Sequence, residues 1–202
     1  MKGRAVIPKA EEPDFAYQSH SYADYLNWDL EERVELIKGR IFKMSPGPNR
    51  LHQKVSGHLF NAFFNYLKNK PCEIYAAPFD VRLPGHSKKN EAIYTVVQPD
   101  IYVICDPVKL DNAGCVGAPD LIVEILSPGN NRKELANKYE VYEESGVKEY
   151  WIIHPIEQTI LIYSLIEGKY HPSRLFASGD LVESNVIKGF QLNLESFFKA
   201  ME

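Results

Sequence analysis

The run Pro119-Asp120-Leu121-Ile122-Val123-Glu124-Ile125-Leu126 constrains this chain more than any other. Its apolar, β-branched composition reads as a strand covered on both faces of a sheet. Yet Glu124 stands inside it, with three apolar residues before it and two after. A carboxylate in such a place stays ionised only beside a cation, a metal or several hydrogen bonds. Any fold that buries this strand must therefore bring compensation to Glu124. A second apolar run, Gln98-Pro99-Asp100-Ile101-Tyr102-Val103-Ile104, carries an acid at its mouth. A metal-dependent site is the leading expectation from the pair.

The rest of the pattern supplies a scaffold. Val34 to Ile37 and Arg40 to Met44 read as a hairpin about Lys38-Gly39, and Ser45-Pro46-Gly47-Pro48 breaks the pattern. Leu51, Val55, Leu59, Phe63 and Leu67 recur every four residues, the signature of an amphipathic helix over about 49–69. Short strands are predicted around Glu73 to Tyr75, Phe79 to Leu83 and Ala92 to Val97, and the stretch between the two acid-bearing strands, including Gly114 to Ala118, reads as a loop. A helix follows Ser127-Pro128-Gly129, with Asn131 and Glu134 in N-cap and N3 relation. Val147 to Ile153 and Thr159 to Leu165 form a natural strand pair, and Phe190 to Phe198 holds a short closing helix. Residues 1–19 read as an N-terminal arm and residues 20–202 as a single domain. The fold class is α/β (α+β), a central mixed β-sheet flanked by at least two helices.

Three cysteines, Cys72, Cys105 and Cys115, are odd in number and lack C-x-x-C spacing, which reads as reduced thiols. The N-terminus is no apolar signal core, and no apolar run approaches the roughly 18 residues of a membrane span. A cytoplasmic chain with no membrane partner is the expectation. A formal net charge of -4 argues against a protein that coats nucleic acid non-specifically, because phosphate contacts need a basic surface. It leaves room for an enzyme that grips a phosphodiester locally through a metal.

If the two strands are neighbours, Asp100 and Glu124 converge on one point, and two carboxylates with water suit Mg²⁺ or Mn²⁺. On the following helix Leu135, Tyr139 and Tyr142 form the apolar stripe and Lys138 falls at its edge, aimed partly toward the sheet. Acid, acid and lysine around a metal are what phosphodiester hydrolysis requires. Pro99-Asp100, then Glu124-x-Leu126, then Lys138 resemble the PD-(D/E)XK nuclease core. The wider run from Pro119 through Lys138 and Tyr142 to Gly146-Val147-Lys148-Glu149-Tyr150-Trp151-Ile152-Ile153 resembles the Uma-two family of restriction-endonuclease-like proteins. Glu35-Leu36-Ile37-Lys38-Gly39 and His52 match its N-terminal pattern. The resemblance covers roughly residues 20 to 195.

The resemblance implies a restriction-endonuclease-like sheet and cleavage of double-stranded DNA, with a homodimer serving the two strands. It implies Asp100 and Glu124 as metal ligands, Lys138 as the residue that orients water, and His52 and Glu35 as assistants. One position departs from it: the usual lysine, two residues after the second acid, is Leu126 here. Lys138 then stands in from the helix, and a nuclease-fold module without turnover is the alternative. Taken alone, Glu124 and Lys138 make a structural ion pair as readily as a site. Taken alone, Asp100 is a turn acid, Lys138 a solvated lysine, Glu35 an exposed hairpin charge, and His52 a surface or capping residue. Asp80, in the strand before the core, is a more distant supporting acid.

Overall fold

The computed structural model describes residues 19–30, 32–44, 48–127 and 132–201. Residues 1–18 of the arm expected over 1–19, the Ser45-Pro46-Gly47 break, Pro128-Gly129 and the Asn131–Glu134 cap lie outside what is described. Helix α1 (Tyr22–Tyr25) precedes the hairpin of β1 (Val34–Ile37) and β2 (Arg40–Lys43). The two turn residues, Lys38 and Gly39, both take positive φ, 50° and 78°, as a tight two-residue hairpin requires. Helix α2 (Arg50–Leu67) starts at Asn49, whose side chain accepts the His52 N–H. Its four-residue repeat buries Val55, Leu59, Phe63 and Leu67.

Then follow β3 (Glu73–Ala76), β4 (Asp80–Arg82), β5 (Val96–Val97), β6 (Ile101–Ile104), β7 (Leu110–Asp111), β8 (Gly114–Val116) and β9 (Leu121–Ile125). After α3 (Arg132–Ser145) come β10 (Glu149–His154), β11 (Thr159–Ile166), β12 (Lys169–Pro172), β13 (Leu181–Glu183), β14 (Gln191–Asn193) and α4 (Leu194–Lys199). The strands form not one central sheet but two of six strands, ordered β2-β1-β5-β4-β8-β7 and β12-β11-β10-β9-β6-β3, with β13-β14 as a separate ribbon. The mixed α+β class stands. The division arises because the first hairpin pairs with β5 and leaves β6 to pair with β9 and β3. Two local expectations also change. Asn90–Ala92 is a 3₁₀ turn, so the strand there shrinks to Val96–Val97. The stretch before Ala118 contributes strand β8, where Gly114 (φ +142°) lies so close to Asp80 that a Cβ would overlap its carbonyl oxygen.

Strands β9 and β10 are parallel, so α3 must cross over the sheet between them. Alternation then divides the β9 side chains. Leu121, Val123 and Ile125 face a core built with α2, Trp151 and the C-terminal elements. Ile122 faces the other core, with Val141 and Tyr142 of α3 and with Ile37, Val81 and Val97 of the first sheet. Glu124 shares the face of Ile122 and so lies beneath α3.

The cysteine expectation is overturned. Cys72 and Cys105 are joined in a disulfide, and Cys115 alone is free and buried. The two flank β3 and β6, whose register pairs Glu73 with Ile104 and therefore sets Cys72 opposite Cys105. Spacing along the chain, 33 residues, carries no sign of that pairing. We expect thiol titration of unfolded, non-reduced protein to find one thiol per chain and three after reduction; three before reduction would refute the bridge. Among the described residues no helix is long and apolar enough to cross a membrane.

Candidate active site

Glu124 is the next-to-last residue of β9 and Asp100 immediately precedes β6, its antiparallel neighbour. The register pairs Ile101 with Val123, so Asp100 falls opposite Glu124 one step further out. Cross-strand neighbours of this kind have Cβ atoms about 4.5–5.5 Å apart. The strands are neighbours, as expected, and the two acids converge. Asp100 is fixed from two sides through Oδ2, which accepts the Ile125 N–H at 2.7 Å and lies 3.2 Å from His52 Nε2. Since a carboxylate only accepts, that histidine nitrogen carries the proton. His52 is 5% exposed, not a surface residue, because its position in the first turn of α2 faces the sheet. Burial alone would lower its pKa, but the Asp100 carboxylate outweighs burial and raises it.

Lys138 is 4% exposed and sits at the middle of the inward face of α3, not at its edge. The residues packed inward beside it are Val141 and Tyr142, three and four positions on. Leu135 and Tyr139, expected to lead the stripe, are only half-buried. The Lys138 Nζ reaches Glu124 Oε1 at 2.9 Å and Glu35 Oε1 at 3.1 Å. Burial opposes its charge, yet Glu124 and Glu35 together hold its pKa well above the ordinary lysine value. Glu35 is 3% exposed, which corrects the expectation of an exposed hairpin charge. It shares a face of β1 with Ile37, and that face packs toward β9 and α3.

Burial pushes the Glu124 carboxyl up to about 7; Lys138 pulls it back, Asp100 and Glu35 repel it further, and Tyr142 helps hold its charge. The Tyr142 hydroxyl donates to Glu124 Oε1 at 2.7 Å. This tyrosine counted only as an apolar residue in the sequence, although its place one helical turn after Lys138 put it on the same face. Gln98 was missed as well. Its backbone N–H donates to Glu35 Oε1 at 2.9 Å, and its side-chain amide donates to Asp80 Oδ1 at 2.9 Å. Among the described residues, Asp80 thus joins the cluster through Gln98. Asp120, on the same alternation as Glu124, serves elsewhere: its carboxylate accepts from Cys105 N–H and Lys148.

The sum is three carboxylates, a lysine and a histidine gathered from β1, α2, β6, β9 and α3. A family model described as "Putative restriction endonuclease", Uma2, matches residues 22–195. The chain belongs to the Uma2 family. That match spans all five residues of the cluster. An uncharacterized protein of Synechocystis sp. is 27% identical over 157 residues, covering 76% of this chain and 78% of that protein. The crystal structure of a putative nuclease belonging to DUF820, from Anabaena variabilis, superposes with a TM-score of 0.70 at 19% identity. It covers 90% of this chain and 99% of its own, and it shows that the two share a fold.

The Uma2 cluster suits a small divalent cation. The partners of Glu124 take Oε1 and those of Asp100 take Oδ2, so the second oxygen of each carboxylate stays without a hydrogen bond among the described residues. Asp100 and Glu124 thus each offer a carboxylate oxygen toward the same place. Among the described residues no three His, Cys, Asp or Glu side chains form a ready cage for a metal. Mg²⁺ is ordinarily held by one or two carboxylates, with waters and substrate phosphate completing its shell. Two acids of this kind meet that requirement.

Proposed function

We propose that this Uma2 protein is a Mg²⁺- or Mn²⁺-dependent endonuclease that hydrolyses phosphodiester bonds of double-stranded DNA. The observation that carries the proposal is the register of β6 and β9, which sets Asp100 opposite Glu124 with Lys138 2.9 Å from the latter. The family description points to the same chemistry. Asp100 and Glu124 would hold the ion through their second oxygens. Bound there, the ion supplies Lewis-acid polarisation of the phosphate and lowers the pKa of a water. Lys138 orients the attacking water and offsets charge that develops on the phosphoryl oxygens. Glu35 and Tyr142 fix the rotamers of Lys138 and Glu124, and His52 fixes Asp100. Two copies acting together, as a homodimer, would address the two strands.

A second reading is a nuclease-fold module without turnover. One observation favours it: Lys138 is almost wholly buried and its ammonium is shared by two carboxylates. The two readings differ in a metal titration. Incubation with supercoiled and linear duplex DNA is expected to give cleavage with Mg²⁺ or Mn²⁺ and none after chelation. DNA binding with no cleavage under any divalent cation would favour the module and sink the nuclease proposal.

A further inference from the structure

We infer that Arg33 is a substrate-phosphate contact and Gln98 its positioning residue; the inference rests on the nuclease reading above. Arg33 is exposed and stands two residues before Glu35, so the two side chains leave the same face of the chain as it enters β1. Glu35 turns inward to Lys138, whereas Arg33 is exposed to solvent. The guanidinium is anchored on Gln98 Oε1, at 2.6 Å from Nη2 and 3.2 Å from Nε. Gln98 is itself tied down: its N–H donates to Glu35, and its amide donates to Asp80 at 2.9 Å and to the Tyr25 hydroxyl at 3.3 Å. Arg33 is thus two hydrogen bonds from the Glu35–Lys138–Glu124 chain, on a support that fixes its direction.

The chemistry of that support is what points to a phosphate. Several other exposed cations of the molecule are spent on carboxylates: Lys38 on Glu140 and Glu144, Lys43 on Glu32, Lys169 on Glu143, and Arg174 on Asp180. Arg33 is held by a neutral amide oxygen, which uses Nε and Nη2 and leaves the charge without a carboxylate at contact distance among the described residues. One acid that acts on it is Asp80, whose own carboxyl is held toward its neutral form chiefly by burial. An exposed arginine held by a neutral amide on Gln98, two residues before Asp100, is suited to a DNA phosphate flanking the scissile one.

The test uses the full chain and a labelled duplex oligonucleotide, with binding followed by anisotropy across a salt series and cleavage followed separately. Arg33→Ala is expected to weaken binding and to lower the slope of log K against log salt by about 0.9, the value of one phosphate contact. It is expected to raise KM with little change in kcat, and to leave the thermal midpoint unchanged. Arg33→Lys should restore part of the affinity and the slope. The pair Asp80→Asn with Gln98→Glu keeps a donor facing an acceptor but gives Arg33 a carboxylate partner; it should mimic Arg33→Ala in binding while the fold holds. A merely structural Arg33 would lose thermal stability in Arg33→Ala and keep the wild-type salt slope. Wild-type slope and KM in Arg33→Ala, with wild-type cleavage intact, would overturn this inference and spare the nuclease reading. A wild-type protein that neither binds nor cuts the duplex would overturn both.

Discussion

Lys138→Ala is expected to destabilise the fold by about 3–5 kcal/mol, the usual effect of removing one partner from a buried ion pair. The reason lies in what the lysine leaves behind. Glu124 and Glu35 both direct Oε1 at its ammonium, at 2.9 and 3.1 Å, and both are less than a tenth exposed. Without the cation, two carboxylates face each other beneath α3, with Asp100 adding a third charge. Urea unfolding at neutral pH measures the effect as a fall in the midpoint with an unchanged slope. The triple variant Lys138→Met, Glu35→Gln, Glu124→Gln should recover most of the loss, because neutral groups of similar volume no longer need a counter-ion. A Lys138→Ala protein within about 1 kcal/mol of wild type would mean that the triad does not hold the sheet and helix together. The same variant is expected to be inactive, so its cleavage assay is informative only where the protein is shown to be folded.

Asp100→Asn and Glu124→Gln provide the cleaner test of chemistry. Each replaces a carboxylate by a neutral amide of nearly the same shape, so the fold should persist while the ligand charge is lost. DNA cleavage with Mg²⁺ is expected to fall by at least about 10²–10³-fold in each, the range for losing one strong electrostatic contribution to a transition state. In Glu124→Gln the new amide oxygen still accepts from the Tyr142 hydroxyl. In Asp100→Asn the amide oxygen still accepts from the Ile125 N–H. Circular dichroism and the thermal midpoint should therefore stay near wild type. Wild-type cleavage rates in both variants would remove these acids from the mechanism. An equal, total loss of folding in both would instead make them structural.

Much of this could be read from the chain because the acids announce themselves by what surrounds them. Glu124 stands in an apolar run where a solvated acid has no place, and period-two alternation fixed its face. The 49–69 helix and the pair of strands Val147–Ile153 and Thr159–Leu165 were legible for the same reason, since their periodicity and turns agree. Lys138 was only half legible. Taking Leu135, Tyr139 and Tyr142 as the stripe puts it on an edge, whereas in the fold the lysine faces inward onto two buried acids. Glu35 was harder still. A hairpin charge is ordinarily solvated, and only the packing of the first sheet against α3 makes this one a buried partner.

Gln98 lacked any signal as a site residue, and the signal of Tyr142, one helical turn after Lys138, was masked by its plain place on the apolar stripe. The cysteines misled in the same way. Their spacing along the chain says nothing of a pairing that strand register creates between Cys72 and Cys105.

By itself, then, the sequence determined most of the central elements, the two acids and the need for a compensating cation near Glu124, because local periodicity and the penalty for burying charge act at short range. The tertiary structure alone decided how deeply Lys138 is buried, that Glu35 shares it, and which neutral side chains hold the set in place. Those choices depend on how two sheets and a crossover helix stack, and stacking brings together residues that lie far apart along the chain.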